Sequence, residues 1–156
     1  MTNIFFEDER ITKNDLYFVC YMIERIARKL KQPNKYVANI MGHDELCKKL
    51  SLANVLHSAP PQAVMEDWIG TYAMKGGNHD VTDVNRKLVE RIPRESQMGK
   101  VYQRLILATL KPGEDYADGI LRVYNDKICQ TLDNYNCSAY YEPSPYIAES
   151  YHRGYF

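Results

Sequence analysis

The sequence has no excess charge of either sign: twenty Lys and Arg balance twenty Asp and Glu over 156 residues. The balance holds locally, with nine of each in residues 1–74 and eleven of each in residues 75–156. Neither half therefore carries the basic field by which a domain engages nucleic acid or anionic lipid through charge alone. Long apolar runs are missing too. No stretch of about 18 apolar residues is present to cross a bilayer, and no basic segment followed by an apolar run opens the chain, so a cytoplasmic location is expected. Cysteine is scarce, with Cys20, Cys47, Cys129 and Cys137 the full set. Four are too few for a disulfide framework, and Cys20 and Cys129 fall on apolar helical faces, so they read as reduced, buried thiols. Period-two alternation, internal repeats and low-complexity tracts are also absent, which leaves helices as the building material.

Helical spacing is what the chain does have. Thr12 with Asp15 three positions later forms a capping-box signature, after which Leu16, Val19, Cys20, Ile23, Ile26, Ala27 and Leu30 recur on one face until Pro33. Arg25, Arg28, Lys29 and Lys31 gather toward the end of this helix, where cations suit its dipole. Asn34 is placed to cap a short helix through Met41, Gly42 to stop it, and Asp44 to cap another through about Leu50. Pro60 and Pro61 open a fourth segment with Val64, Trp68, Ile69 and Tyr72 on one face. Lys75 to Thr82 breaks the pattern and reads as a Gly-rich linker. Beyond it, helices are expected near Asp83 to Arg91, over the stretch containing Met98 to Thr109, and over a long amphipathic run from Ala117 to Tyr135. The polar face of that run, Asp115, Asp118, Arg122, Asp126 and Asp133, reads as a solvated surface. Ser144-Pro145 starts a last turn or two. The expected fold is all-α, a compact bundle of about seven to eight helices with an aromatic-rich C-terminal segment. Its halves, residues 1–74 and 83–156, either keep separate cores or share one.

Chemistry-bearing motifs are sparse. Gly77-Asn78-His79-Asp80 resembles the Gly-Asn-His-acidic segment of calcineurin-like metallophosphoesterases, where Asn and His help hold two metals. The further carboxylate and imidazole ligands of such a site, projecting from strand ends, have no counterpart here. His43 and Cys47 stand four apart, on one helical face, but two ligands do not make a zinc site. His57, His79 and His152 have no neighbouring Cys-x-x-Cys or His-x-x-x-His. No nucleophile elbow or phosphate-cradling glycine loop occurs. No catalytic residue, metal ligand or cofactor is assigned; His57 and His79 are the polar residues to test. Residues 35–50 can be read as a helix-turn-helix, which makes a nucleic-acid-binding regulator the alternative function. The would-be recognition helix opens on Asp44 and Glu45, however, which suit phosphates badly.

The densest feature is the C-terminal segment, where six of the thirteen tyrosines fall within residues 135–156. Such amphipathic aromatic surface docks on a core or meets a partner. Tyr140, Tyr141, Tyr146, Tyr151, Arg153 and Phe156 are the partner-binding candidates.

Over Asn14 to Met74 the chain also resembles a family of short, uncharacterised bacterial helical proteins. The matching elements are Phe18-Val19, Ile23-Glu24, Val55-Leu56-His57-Ser58, and Val64, Asp67, Ile69 and Tyr72. Members of that family lie near genes for ADP-ribosyltransferase-like proteins, so the resemblance implies an accessory or antitoxin-type role. The functional expectation is a non-enzymatic protein that binds another protein or a second copy of itself, with no membrane partner.

Overall fold

The capping box starts the first helix where the spacing places it. In a computed structural model describing residues 1–156, the Thr12 hydroxyl accepts from the Asp15 amide at 3.4 Å and the Asp15 carboxylate accepts from the Thr12 amide at 2.7 Å. Two of the orphan donors at a helix start are thereby satisfied. Helix α1 (Lys13–Leu30) ends at Lys31, whose left-handed backbone turns its amide onto the Ala27 and Arg28 carbonyls.

Six more helices follow: α2 (Asn34–Leu56), α3 (Pro61–Thr71), α4 (Glu95–Thr109), α5 (Tyr116–Tyr124), α6 (Cys129–Leu132) and α7 (Ser144–Arg153). A 3-10 turn spans Ala139–Tyr141. The protein is all-α, with no strand and a single antiparallel bridge between Thr2 and Arg10. α1 is the central element, packed by α2, α3 and α4, while α4 also carries α5 and α7. Buried residues from both halves join in one core of 33. The α1–α4 crossing depends on a missing side chain, because a Cβ on Gly99 would lie 2.8 Å from the Tyr21 Cα, inside any real contact.

At Gly42 the expected stop holds: its backbone (φ 73°, ψ 176°) is not helical, so α2 consists of two helical stretches, residues 34–41 and 43–56, joined at a kink. Several other local readings change. Asn34 is not the cap but the first residue of α2, and its side chain turns away from the helix end. Residues 83–91 form turns rather than a helix, with Leu88 exposed and the Asn85 amide donating to the Asn136 side chain at 2.8 Å. The long run from Ala117 breaks at residues 125–127. There the Asn125 amide group bonds the Leu121 carbonyl and the Asp126 carboxylate accepts from the Ile128 amide, so short polar side chains outcompete the helical ladder.

The tyrosine-rich segment is docked along α4 and α5. Arg122 organises it. Its guanidinium donates through Nε and Nη2 to the two Glu114 carboxylate oxygens at 2.9 and 2.7 Å, to the Thr109 carbonyl at 3.1 Å, and through Nη1 to the Tyr151 hydroxyl at 2.8 Å. Ile147 on the inner face of α7 is buried.

Candidate functional site

The deepest concentration of ionisable chemistry lies where α1 passes the start of α2 and the end of α6. A cleft of about 610 Å³ opens there, walled on its far side by residues 79–84. That wall is tied down: the Gly77 amide donates to the Leu30 carbonyl at 2.7 Å and the His79 amide to the Lys31 carbonyl at 2.9 Å. The expected linker is therefore the cap on the C-terminal end of α1.

Glu24 and Asp133 form the floor. Glu24 sits on the inner face of α1, one helical turn after buried Cys20, and is 4% exposed. Asp133 follows α6 and had the look of a surface residue; the break before α6 swings it inward instead. One Asn34 amide joins the two carboxyls, donating to Glu24 Oε2 at 3.1 Å and to Asp133 Oδ2 at 3.0 Å. From the buried side the Tyr102 hydroxyl reaches both Asp133 oxygens at 2.8 Å. Burial holds the Glu24 carboxyl above the usual range, and the Asp133 charge adds to that, against the opposing Asn34 bond and Arg28. Burial also raises Asp133, while Tyr102, Asn34 and Arg28 pull it back down. Two like charges this close in a desolvated site do not both ionise at little cost, so the pair retains a proton above the usual carboxylate range.

Two polar atoms here have no partner. The Tyr124 hydroxyl is buried beside Glu24 and Cys20 without hydrogen-bond geometry to either, and Arg28 Nε is likewise unpaired, although Arg28 Nη2 donates to the Tyr135 hydroxyl at 3.2 Å. Buried polar groups left in this state cost about 1–3 kcal/mol each. A ligand in the cleft would find both signs of group, with carboxylates in excess: Glu24, Asp80, Asp83, Asp126 and Asp133 against Arg28, Lys35 and Lys127.

The sequence candidates are scattered by comparison. His79 is exposed at the rim of this cleft, with Asp80 bonding Thr82 beside it. His57 caps α2 through its backbone and is exposed. Among the tail residues, Tyr140 packs edge-on against Tyr135, Tyr151 is held by Arg122, and Phe156 packs partly on the core against Tyr146. Arg153 reaches back to the Tyr155 carbonyl. Tyr141, Tyr146 and Tyr155 face outward, and Tyr140 and Tyr141 border a second depression of about 1070 Å³ with Leu88 and Ile92. Residues 35–50 lie within the kinked α2, where Glu45 takes the Tyr72 hydroxyl and Lys48. No helix is long and apolar enough to cross a membrane.

The cleft escaped sequence reading because Glu24, Asn34 and Asp133 are distant in the chain. One signal was present: Glu24 interrupts the buried line from Cys20 to Ala27, a place where a carboxylate needs a reason. The chain matches no family model, no curated protein and no solved structure.

Proposed function

We propose that the protein binds a small, amine-bearing molecule in the Glu24–Asp133 cleft. The observation that carries this reading is the pair of carboxyls sharing one Asn34 amide on the floor of an open cavity. A protonated amine donates to the carboxyl pair, and its charge favours ionisation of both groups as acceptors. Binding then releases a proton. The partnerless Tyr124 hydroxyl gains a neighbour to bond, and the acidic excess along the walls supports a cation over an anion.

The test is thermal unfolding with a diamine and with a diol of matched length. At about a hundred times the dissociation constant, a ligand specific to the folded state adds about 2.7 kcal/mol, a rise of several degrees for a chain this size. The diamine is expected to raise the midpoint of the native protein and not of Asp133→Asn. A shift that survives Asp133→Asn, or equal shifts from diamine and diol, defeats the reading.

A second reading, association with another protein or with a second copy in an accessory, antitoxin-like role, is favoured by the outward aromatics of the tail: Tyr141 is 76% exposed and Tyr155 64%. Leu88, 75% exposed, borders the same depression as Tyr141 and adds apolar surface there. Tyr141→Ala with Tyr155→Ala should weaken self-association in sedimentation if that surface is used. Four free thiols, three of them buried, accord with a reducing, cytoplasmic setting.

A further inference from the structure

The kink at Gly42 has a chemical result in the middle of α2, about two turns beyond the residues that line the cleft. It sets His43 at the start of the helix's second half, one turn before Cys47, with both side chains directed at the N-terminus of α5. Asp115 caps α5 there, accepting from the Asp118 amide at 2.8 Å, and its other oxygen lies 2.8 Å from His43 Nε2. Cys47 Sγ is 3.6 Å from the same nitrogen. One imidazole nitrogen, one sulfur and one carboxylate oxygen thus lie within 4.8 Å of one another. Asp118 Oδ2 stands 3.9 Å from His43 Nε2 on the solvent side. The second ring nitrogen, Nδ1, is 2.9 Å from the Asp44 carboxylate.

We infer that His43, Cys47 and Asp115 bind a divalent transition metal of the zinc class, with Asp118 or water closing the coordination and Asp44 orienting the histidine. Bond lengths fit. Zinc takes nitrogen at about 2.0–2.1 Å and sulfur at about 2.3 Å, which separates the two by ~3.5 Å across a tetrahedral edge, close to the distance seen. The nitrogen–oxygen edge needs ~3.4 Å, so metal entry opens the His43–Asp115 hydrogen bond by about half an ångström. A histidine ligand that gives its other N–H to a carboxylate is the arrangement that fixes tautomer and ring orientation at metal sites, and Asp44 provides it. Mixed nitrogen, sulfur and oxygen donors select against calcium and magnesium, which prefer oxygen alone.

Without metal the cluster is held by protons. The Asp115 and Asp44 carboxylates pull His43 up to about 9, and burial with the Asp115, Asp44 and Asp118 charges pushes the Cys47 thiol up to about 11. A cation at the centre reverses both effects, releasing protons as it binds. The alternative is a surface ion pair beside an inert thiol, and it predicts no affinity for metal.

The experiment titrates cobalt(II) into the reduced full chain carrying Cys137→Ser, which removes the one thiol that is not buried. One equivalent is expected to produce the near-ultraviolet sulfur-to-cobalt charge-transfer absorption, and zinc to abolish it by displacement. Cys47→Ser should eliminate the band. Asp115→Asn retains the α5 cap, since Asn caps as well as Asp, yet should weaken affinity at least tenfold. Asp44→Asn should weaken it about 10–100-fold. Absence of the band, its persistence in Cys47→Ser, or an affinity unmoved by Asp115→Asn would each overturn the assignment. Circular dichroism of the metal-free variants controls for folding; should Cys47→Ser fail to fold, Asp115→Asn decides alone.

Discussion

Two buried polar clusters, both fastened to the far end of the chain, are built on opposite principles. Around Arg122 the charges are opposite, the geometry is bidentate, and every strong donor meets an acceptor. Around Glu24 two carboxyls face each other, one amide serves both, and a tyrosine hydroxyl goes unbonded. The first arrangement holds α7 and the tail to the bundle. The second costs stability and is retained at the floor of a cleft, and a costly polar group lining a cavity is the usual mark of a site with work to do.

The contrast is broken most forcefully at Arg122. Arg122→Ala leaves Glu114 without its partner in a largely buried setting and removes the hold on Tyr151, a loss of about 3 kcal/mol readable by urea denaturation. Lysine should not restore it, because a single ammonium cannot reproduce the two-pronged bond. Limited proteolysis of the variant should cut first near α7.

Glu24→Gln sharpens the contrast with the opposite sign. The Glu24 carboxyl titrates higher folded than unfolded, so the folded state binds the extra proton. The Glu24 contribution to stability is therefore greatest at acid pH and falls as pH rises past the ordinary carboxylate range, about 4, until the folded form ionises too. Glutamine accepts the same Asn34 bond without that titration. The variant should be more stable than the native chain at pH 9, on the order of 1–3 kcal/mol, with the advantage vanishing near pH 4. Parallel curves across that range would show that Glu24 ionises normally.

The smallest effect belongs to the outward aromatics. Tyr141→Ala should change unfolding free energy by less than about 0.5 kcal/mol, because that side chain covers little of the core. A larger loss would assign Tyr141 to the packing that Ile147 and Tyr151 provide.

Much of the fold was legible because its signals are local. The Thr12–Asp15 box, the Pro33 boundary and the Pro145 start of α7 are chemical statements made within four residues of the element they govern. The failures came where partners are remote. Val84 and Ile92 have helical spacing, yet the stretch between them is drawn into turns, its Asn85 amide engaged by Asn136 of the other wall. Asp115, Arg122 and Asp133 line one face of an ideal helix and read as solvated. Instead Asp115 caps α5 and Arg122 is an ion-pair hub within it, while the break at residues 125–127 turns Asp133 into the cleft. His43 and Cys47 were visible as a pair; Asp115, which completes the trio, is 72 residues from His43 and comes near only through the packing of α5 on α2.

The loop at residues 77–79 links mechanics to access. Because its amides are spent on the last carbonyls of α1, an outward swing of the cleft wall would leave those carbonyls unpaired at the end of the helix that carries Glu24. Amide exchange at Gly77 and His79 would report that opening. Whatever enters the cleft and bridges its two walls will slow that exchange and stiffen the final turn of α1 in the same step.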